Sequence, residues 1–299
     1  MDGIILIDKP ERMSSHHVLV RLRYGGFEID KIGHGGTLDP LATGLLVVMV
    51  GRAVKLSEYV TGHDKTYTVT GILGKMRSTF DEEGPVIAED NTPVTRGDIE
   101  KVLSEFPSEY EQMPPAFSAI KISGVAAYKH AREGKAPELT ARTVKISPME
   151  LIDFHYPRFD LRVTVSAGTY IRSLIVDIAQ SLGTLAYVGR LRRIASGRFL
   201  IAQSHPISEV LTWSKEQFQE NLLPMEEAVM DFPAVDISPE QAKVLVCGQW
   251  LKEESLTLPT GQNPRSGKML FRIRCNEKFI ALGFFDAGHL KSEKVLLRW

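Results

Sequence analysis

Apolar residues fall in short blocks along this chain, and the spacing within each block changes from one to the next. The run Gly3-Ile4-Ile5-Leu6-Ile7-Asp8 is continuously apolar and closes at Lys9-Pro10, which predicts a short buried strand. Ser14-Ser15-His16-His17 then precedes Val18, Leu19 and Leu22, a helix start with hydroxyl caps at hand. Leu45–Val50 reads as a second strand, Ala53–Val60 as a helix, and the β-branched alternation of Tyr67–Gly74 as a third strand beginning at Tyr67. Thr95 to Phe106 carries a capping pattern with Ile99, Val102 and Leu103 inward. Ala126 to Glu133 reads as a short basic helix with Lys129, His130 and Arg132. Phe159–Ser166 predicts a strand. After it, Ile171, Leu174, Ile175, Ile178, Ala179 and Leu182 repeat at helical spacing until Gly183 stops them. Beyond Phe199 the character shifts: residues 208–231 read as acidic helices and Asp231-Phe232-Pro233 as a boundary. A helix over Pro239 to Cys247 and short strands at Met269–Arg274 and Phe279–Phe285 then predict a small, mostly β domain.

Composition narrows the class. At 299 residues with 43% hydrophobic and 24% charged side chains, the chain has room for a sizeable core. The longest fully apolar run, Leu45–Val50, is too short for a membrane span, and Met1-Asp2-Gly3 opens no signal pattern, so a cytoplasmic protein is expected. Cys247 and Cys275 form no paired motif and are expected as buried small residues in a reducing compartment. The histidines form no metal-ligand pattern. The net charge of −1 argues against a general polyanion binder. Its distribution is uneven: residues 75–113 hold 4 Lys+Arg against 10 Asp+Glu, whereas between 160 and 200 six arginines face only Asp160 and Asp177. That second region either faces phosphate or is a solvated arginine face.

The candidate chemistry gathers in Gly33-His34-Gly35-Gly36-Thr37-Leu38-Asp39-Pro40-Leu41-Ala42-Thr43-Gly44. Glycines permit close approach of another backbone, and Pro40 keeps Asp39 out of helical conformation. The loop is not a P-loop, because Leu45 and Leu46 stand after Gly44 where Lys and Ser/Thr are needed, and Leu38 breaks the dinucleotide pattern. Two readings remain: an Asx turn in which Asp39 binds nearby amides, or a presented carboxylate. Arg172 falls in the first turn of its helix, where the dipole disfavours a cation, so a partner carboxylate or a functional role is expected to hold it. Ser118-Ala119-Ile120-Lys121 matches the SxxK of acyl enzymes, but the accompanying elements are missing.

Lys9-Pro10, the Gly33–Gly44 loop, Lys65-Thr66-Tyr67, Pro114-Pro115-Ala116-Phe117-Ser118-Ala119-Ile120-Lys121 and Gly168-Thr169-Tyr170-Ile171-Arg172 occur in one order. Together they resemble the bacterial TruB family of tRNA pseudouridine synthases, over roughly residues 3–200. The tail resembles, more weakly, that family's small PUA-type RNA-binding domain. The resemblance implies an α+β pseudouridine synthase fold over residues 1–231, with a mixed, largely antiparallel central sheet flanked by helices, and a PUA-type domain over 232–299. It implies conversion of the uridine at position 55 in the T loop of tRNA to pseudouridine by a monomer without cofactor, metal or protein partners, the T-arm stem–loop being the substrate contact. Asp39 matches the catalytic aspartate, Tyr67 the tyrosine stacked on the target base, and Arg172 the arginine paired with the aspartate. His34, Tyr170 and Leu191 match substrate-contacting positions. Arg77-Ser78 and Ala167 depart from the family pattern, which has Thr-Asp before Thr79 and a lysine before Gly168. In this reading Arg172 lowers the Asp39 pKa, and the target nucleotide is flipped out of its loop. The alternatives are a guide-RNA-dependent pseudouridine synthase and an RNA-folding chaperone on the same fold.

Overall fold

The computed structural model describes residues 1–118, 139–257 and 269–297, with the backbone of 121–122 and 125–126. Its main sheet has nine strands: β1 (Gly3–Lys9), β2 (Ile32–His34), β3 (Thr43–Val50), β4 (Lys65–Leu73), β5 (Glu150–His155), β6 (Arg158–Val165), β7 (Ala186–Ser196), β8 (Phe199–Leu200) and β9 (His205–Pro206). They run in the order β5-β6-β4-β7-β3-β1-β9, with β2 on β3 and β8 on β7. Only β7 with β3 and β1 with β9 pair parallel, so the sheet is mixed and largely antiparallel, as expected.

Helices α1 (Ser15–Arg23), α2 (Ser57–Gly62), α3 (Arg96–Glu105), α4 (Ile171–Ser181), α5 (Ile207–Val210) and α6 (Lys215–Glu220) flank this sheet. Local chemistry explains their ends. Ser14 accepts from the His17 amide ahead of α1, and Thr95 and Asp98 close a reciprocal capping box on α3. The segment expected to be a helix from Ala53 is a 3-10 turn over Gly51–Leu56 before α2 begins, and the 208–231 region is broken into short helical pieces. The basic helix expected from Ala126 to Glu133 lies, beyond Ala126, outside the described residues.

The tail holds β10 (Ala234–Asp236), helix α7 (Pro239–Val246), β11 (Leu251–Lys252), β12 (Leu270–Cys275), β13 (Lys278–Asp286) and β14 (His289–Val295), the strands forming one five-stranded sheet. It has a core of its own around Val235, Leu245, Phe271 and Ile280. Its outer residues Phe279, Leu282 and Leu296 also pack with Ile4, Leu6, Leu45 and Val47 of the main sheet. Cys275 is buried, but Cys247 is exposed. It caps the C-terminus of α7 just before Gly248 and so points away from the core that α7 covers.

Candidate active site

The loop from Gly33 to Gly44 joins β2 to β3, and buried groups fix its path. Gly36 and Gly44 take φ of +126° and +100°, a region that glycine enters without penalty. A Cβ on Gly44 would lie 2.3 Å from the Arg193 carbonyl oxygen, because these two residues pair across β3 and β7. The buried Ser15 hydroxyl binds both sides of one peptide position, accepting from the Leu38 amide at 2.8 Å and donating to the Leu38 carbonyl at 3.0 Å. Lys9, also buried, donates to the carbonyls of Met13 at 2.6 Å, Pro10 at 2.9 Å and Pro40 at 3.3 Å. Arg193 binds the carbonyls of Leu45 at 2.7 Å and Gly36 at 3.0 Å. Cations solvated by carbonyls therefore hold the loop on both sides of Asp39. Burial lowers the Lys9 pKa to about 8 and does the same to Lys65, whose ammonium caps the carbonyls of Thr61 and His63.

Asp39 makes no Asx turn. Its carboxylate lies 3.0 Å from Nε of Arg172, a contact ion pair between a buried guanidinium and a carboxylate with 35% of its side-chain surface open. The other edges of the guanidinium are committed elsewhere: Nη1 donates to the Thr79 carbonyl and Nη2 to the Phe117 carbonyl, each at 2.9 Å. Nη1 also lies 3.4 Å from Asp81, whose side chain is 3% exposed. Asp81 in turn accepts from the Thr79 hydroxyl and the Glu83 amide. One guanidinium thus serves two carboxylates. Burial raises the Asp39 pKa, and Asp81 adds to the rise, against the pull of Arg172. Arg172 lowers the pKa of this carboxyl, as expected, but desolvation and a second carboxylate outweigh one cation, so the net direction is upward.

A cavity of about 330 Å³ opens beside Asp39. Its walls include Tyr67, Tyr170, Arg172 and Leu191, so four of the expected residues meet Asp39 there. Tyr67 comes from β4, where it is the third residue rather than the first, and it is 8% exposed. Leu191 comes from β7, directly after a bulge between Val188 and Arg190. Tyr170 precedes α4. His34 ends β2 and is not among the cavity walls; its Nδ1 is buried without a partner, and burial lowers its pKa. Ser118 is 3% exposed, which does not suit a nucleophile awaiting substrate. Of the departing residues, Arg77 donates to the Glu82 and Gly84 carbonyls and so closes the turn that holds Asp81, while Ala167 is exposed beside the cavity residues Ser166 and Gly168. The arginines between 160 and 200 form neither one phosphate-facing region nor one solvated face. Arg162, Arg192 and Arg198 pair with Glu150, Asp8 and Glu227, and Arg172 and Arg193 are buried.

Sequence reasoning missed Asp81, Ser15 and Gln112 as site residues. Asp81 was visible only as one of the ten acids between 75 and 113. Gln112 is fully buried and binds both backbone groups of Tyr170, accepting from its amide at 2.7 Å and donating to its carbonyl at 3.1 Å. It thereby satisfies the amide of Tyr170, the residue at the N-cap position of α4, whose own side chain makes no capping bond. Nε2 of Gln112 also reaches the Tyr110 hydroxyl, which donates to Asp177 of α4 at 2.8 Å. Among the described residues no cluster of three or more His, Cys, Asp or Glu could hold a metal ion, and no helix is long and apolar enough to cross a membrane.

Residues 25–171 match the TruB family pseudouridylate synthase N-terminal domain, and residues 172–230 match the tRNA pseudouridylate synthase B C-terminal domain. A tRNA pseudouridine synthase B from Azoarcus sp. (strain BH72) is 37% identical over 99% of this chain and 95% of its own length. The chain belongs to the TruB family of pseudouridylate synthases. It is a tRNA pseudouridine synthase, an isomerase. The tRNA pseudouridine synthase B of Pseudomonas fluorescens is also 37% identical, over 95% of this chain and 91% of its own. In three dimensions the chain is similar to a protein from a Cbf5-Nop10-Gar1 complex, with a TM-score of 0.77 and 26% identity over 99% of this chain and 85% of the other. It is likewise similar to one from an H/ACA RNP bound to a substrate RNA containing 2'-deoxyuridine, with a TM-score of 0.76 and 25% identity over the same shares. The fold of a pseudouridine synthase is thereby established.

Proposed function

We propose that this synthase isomerises the uridine at position 55 in the T loop of tRNA, with Asp39 as its catalytic carboxylate. The observation that carries this reading is the half-open Asp39 carboxylate, held by Arg172 at the edge of a cavity that Tyr67 and Leu191 line. A base stacked inside a folded loop hides its glycosidic bond, so the nucleotide must leave the stack before reaction. The Tyr67 ring offers the flipped base a face, with Leu191 beside it, and Tyr170 closes the cavity at the entry to α4. The isomerisation breaks the N1–C1′ bond and makes a C5–C1′ bond; C5 loses one proton and the ring nitrogen released from the sugar gains one. Such a rearrangement needs an ionised carboxylate to assist departure of the base. Arg172 keeps Asp39 aimed while its other edges stay on the Thr79 and Phe117 carbonyls.

The T-arm would lie in the groove of about 540 Å³ that shares Leu191 with the cavity and continues past Thr68, Thr70 and Arg190. We place the border between the catalytic part and a PUA-like RNA-binding part near Asp231. The chain acts in the cytoplasm as a monomer; action without a guide RNA is in keeping with its stronger identity to tRNA pseudouridine synthases than to the protein of the H/ACA RNP. The test is incubation of the purified chain, alone, with an unmodified tRNA transcript, followed by mapping of pseudouridine. A single modified T-loop uridine is expected. Modification elsewhere, or only when a guide RNA is added, would overturn the reading.

A further inference from the structure

Among the described residues, five of the nine exposed arginines are neutralised by a neighbour, and of the other four only Arg190 lies away from helix α1 and its foot. Arg52, Arg96, Arg158 and Arg162, for example, sit in ion pairs with Asp2, Glu100, Asp160 and Glu150. Helix α1 is different. Between Arg12 and Gly26 there is no acidic residue, while Arg12, His16, His17, Arg21 and Arg23 are all exposed. None of its arginines is in an ion pair among the described residues, and Glu28, the next carboxylate along the chain, is bound to Lys215. Next to Arg23 stands Tyr24, 81% exposed and the most exposed large apolar side chain described. Residues 17, 21 and 24 fall on one face of the helix by their spacing, and Arg23, seven residues after His16, lies on the opposite rim of the exposed arc, so that Tyr24 stands between the two arginines. The helix dipole favours Arg21 and Arg23 in the last turn, but it accounts neither for the exposed ring nor for the missing carboxylates.

The place of the stripe matters as much as its charge. Its foot touches the catalytic loop: the Arg12 amide donates to the Pro40 carbonyl at 2.8 Å, with Arg12 itself held at φ +61°, and Ser15 at the start of α1 grips Leu38. From there nine residues of helix extend about 13 Å. A polynucleotide held at Asp39 must continue on both sides of the reacting residue, and unpaired guanidiniums with an exposed ring form the surface that phosphates and bases recognise.

We propose that the outer face of α1 grips the tRNA backbone beside the nucleotide held at Asp39, through Arg21 and Arg23 on phosphates and Tyr24 on a base. The inference rests on the reading of the Asp39 cavity as the reaction site. It adds a recognition surface outside that cavity.

The test measures affinity of the full chain for an unmodified tRNA transcript over a series of salt concentrations, with pseudouridine formation followed in the same preparations. An Arg21→Gln, Arg23→Gln double variant should bind about ten-fold more weakly near 0.1 M salt, and its slope of log affinity against log salt should be shallower by about 1.4–1.8, two phosphate contacts. Turnover at saturating tRNA should be unchanged. The Arg21→Lys, Arg23→Lys double should regain most of the slope, since the counterion term depends on charge. Tyr24→Ser should weaken binding several-fold and leave the slope alone. Wild-type affinity and slope in the folded glutamine variant would overturn the proposal, as would equal weakness of the lysine and glutamine doubles. Repeating the series with Asp39→Asn separates the two readings: loss of turnover with an unaltered slope belongs to the cavity, whereas a change of slope belongs to α1.

Discussion

Asp39 lies in a conflict of charges that determines how the site answers pH. Two carboxylates share Arg172, and burial raises the Asp39 pKa above the usual carboxylate value. In the proposed reaction Asp39 acts as the ionised carboxylate, so single-turnover rate should rise with pH through that raised pKa. Asp81→Asn removes the like charge, and the acid limb of the profile should then move to lower pH; a limb that stays in place would show that Asp81 does not act on Asp39. Stability runs the other way. A folded carboxyl with a raised pKa binds more protons than its unfolded counterpart, so its contribution falls as pH rises through the window between the two values. Asp39→Asn should abolish turnover, keep tRNA affinity within a few-fold, and leave the melting temperature at neutral pH equal to or above that of the wild type. A large drop in melting temperature would instead assign Asp39 a structural task.

Arg172→Lys should reduce turnover at least a hundred-fold. An ammonium cannot serve Asp39, Asp81 and the carbonyls of Thr79 and Phe117 together. Rates within a few-fold of wild type would show that charge alone suffices. Gln112→Leu removes the amide that binds both backbone groups of Tyr170; the carbonyl keeps its helical bond from Leu174, but the Tyr170 amide loses its partner, at about 1–3 kcal/mol. It should lower both melting temperature and turnover, since Arg172 follows two residues later. Normal turnover would show that α4 holds its position without Gln112.

Elements whose signals are local were legible in the sequence. The capping box of α3 needs only Thr95 and Asp98, three residues apart, and the stop of α4 needs only Gly183, which takes φ +72°. The Asp39 loop was legible too, because its glycines and proline announce an unusual backbone, and the family resemblance supplied Tyr67 and Arg172. What stayed hidden depends on strand order and register. Asp81 meets Arg172 across 91 positions of chain, and no local pattern distinguishes it from the other acids of its turn. The charge count between 160 and 200 misled for the same reason, since the partners Asp8, Glu150 and Glu227 lie in other elements. The pairing of Gly44 with Arg193 gives a test at this scale. Gly44→Ala sets a methyl group against a backbone oxygen at positive φ, and should cost about 3 kcal/mol or prevent folding. A thermal melt at wild-type temperature would mean that β3 and β7 part easily.

Across the whole molecule, the tail is fastened to the catalytic part by more than its linker. Phe279, Leu282 and Leu296 complete the apolar layer over β1 and β3. Around them Arg272 meets Glu226 at 2.6 Å, Lys294 meets Glu58 at 2.9 Å, and Lys55 donates to the Val295 carbonyl at 2.7 Å. A chain ended at Asp231 would expose the layer that these side chains cover, and a loss of several kcal/mol is expected from three large apolar residues removed together. Its melting temperature should fall by 10 °C or more, or the protein should aggregate; a truncated chain as stable as the whole would show that the shared layer contributes little. Contributions of the tail to RNA binding are therefore better sought with surface substitutions in the full chain.

The outer edge of β1 carries one more consequence, for the order of events during synthesis. β1 is made well before its second neighbour, β9 at His205-Pro206, and before Leu223, with which Ile4 forms its other backbone pair. At about 5–20 residues per second, ribosomes need roughly 10–45 s to deliver those partners. During that interval one of the most apolar segments of the chain waits with an open edge, the kind of edge on which nascent chains pair wrongly. The price of pairing β1 with so distant a partner is a dependence on whatever shields it in the cell, and slow translation should raise the insoluble fraction of this protein more than that of one whose strands all find their neighbours at once.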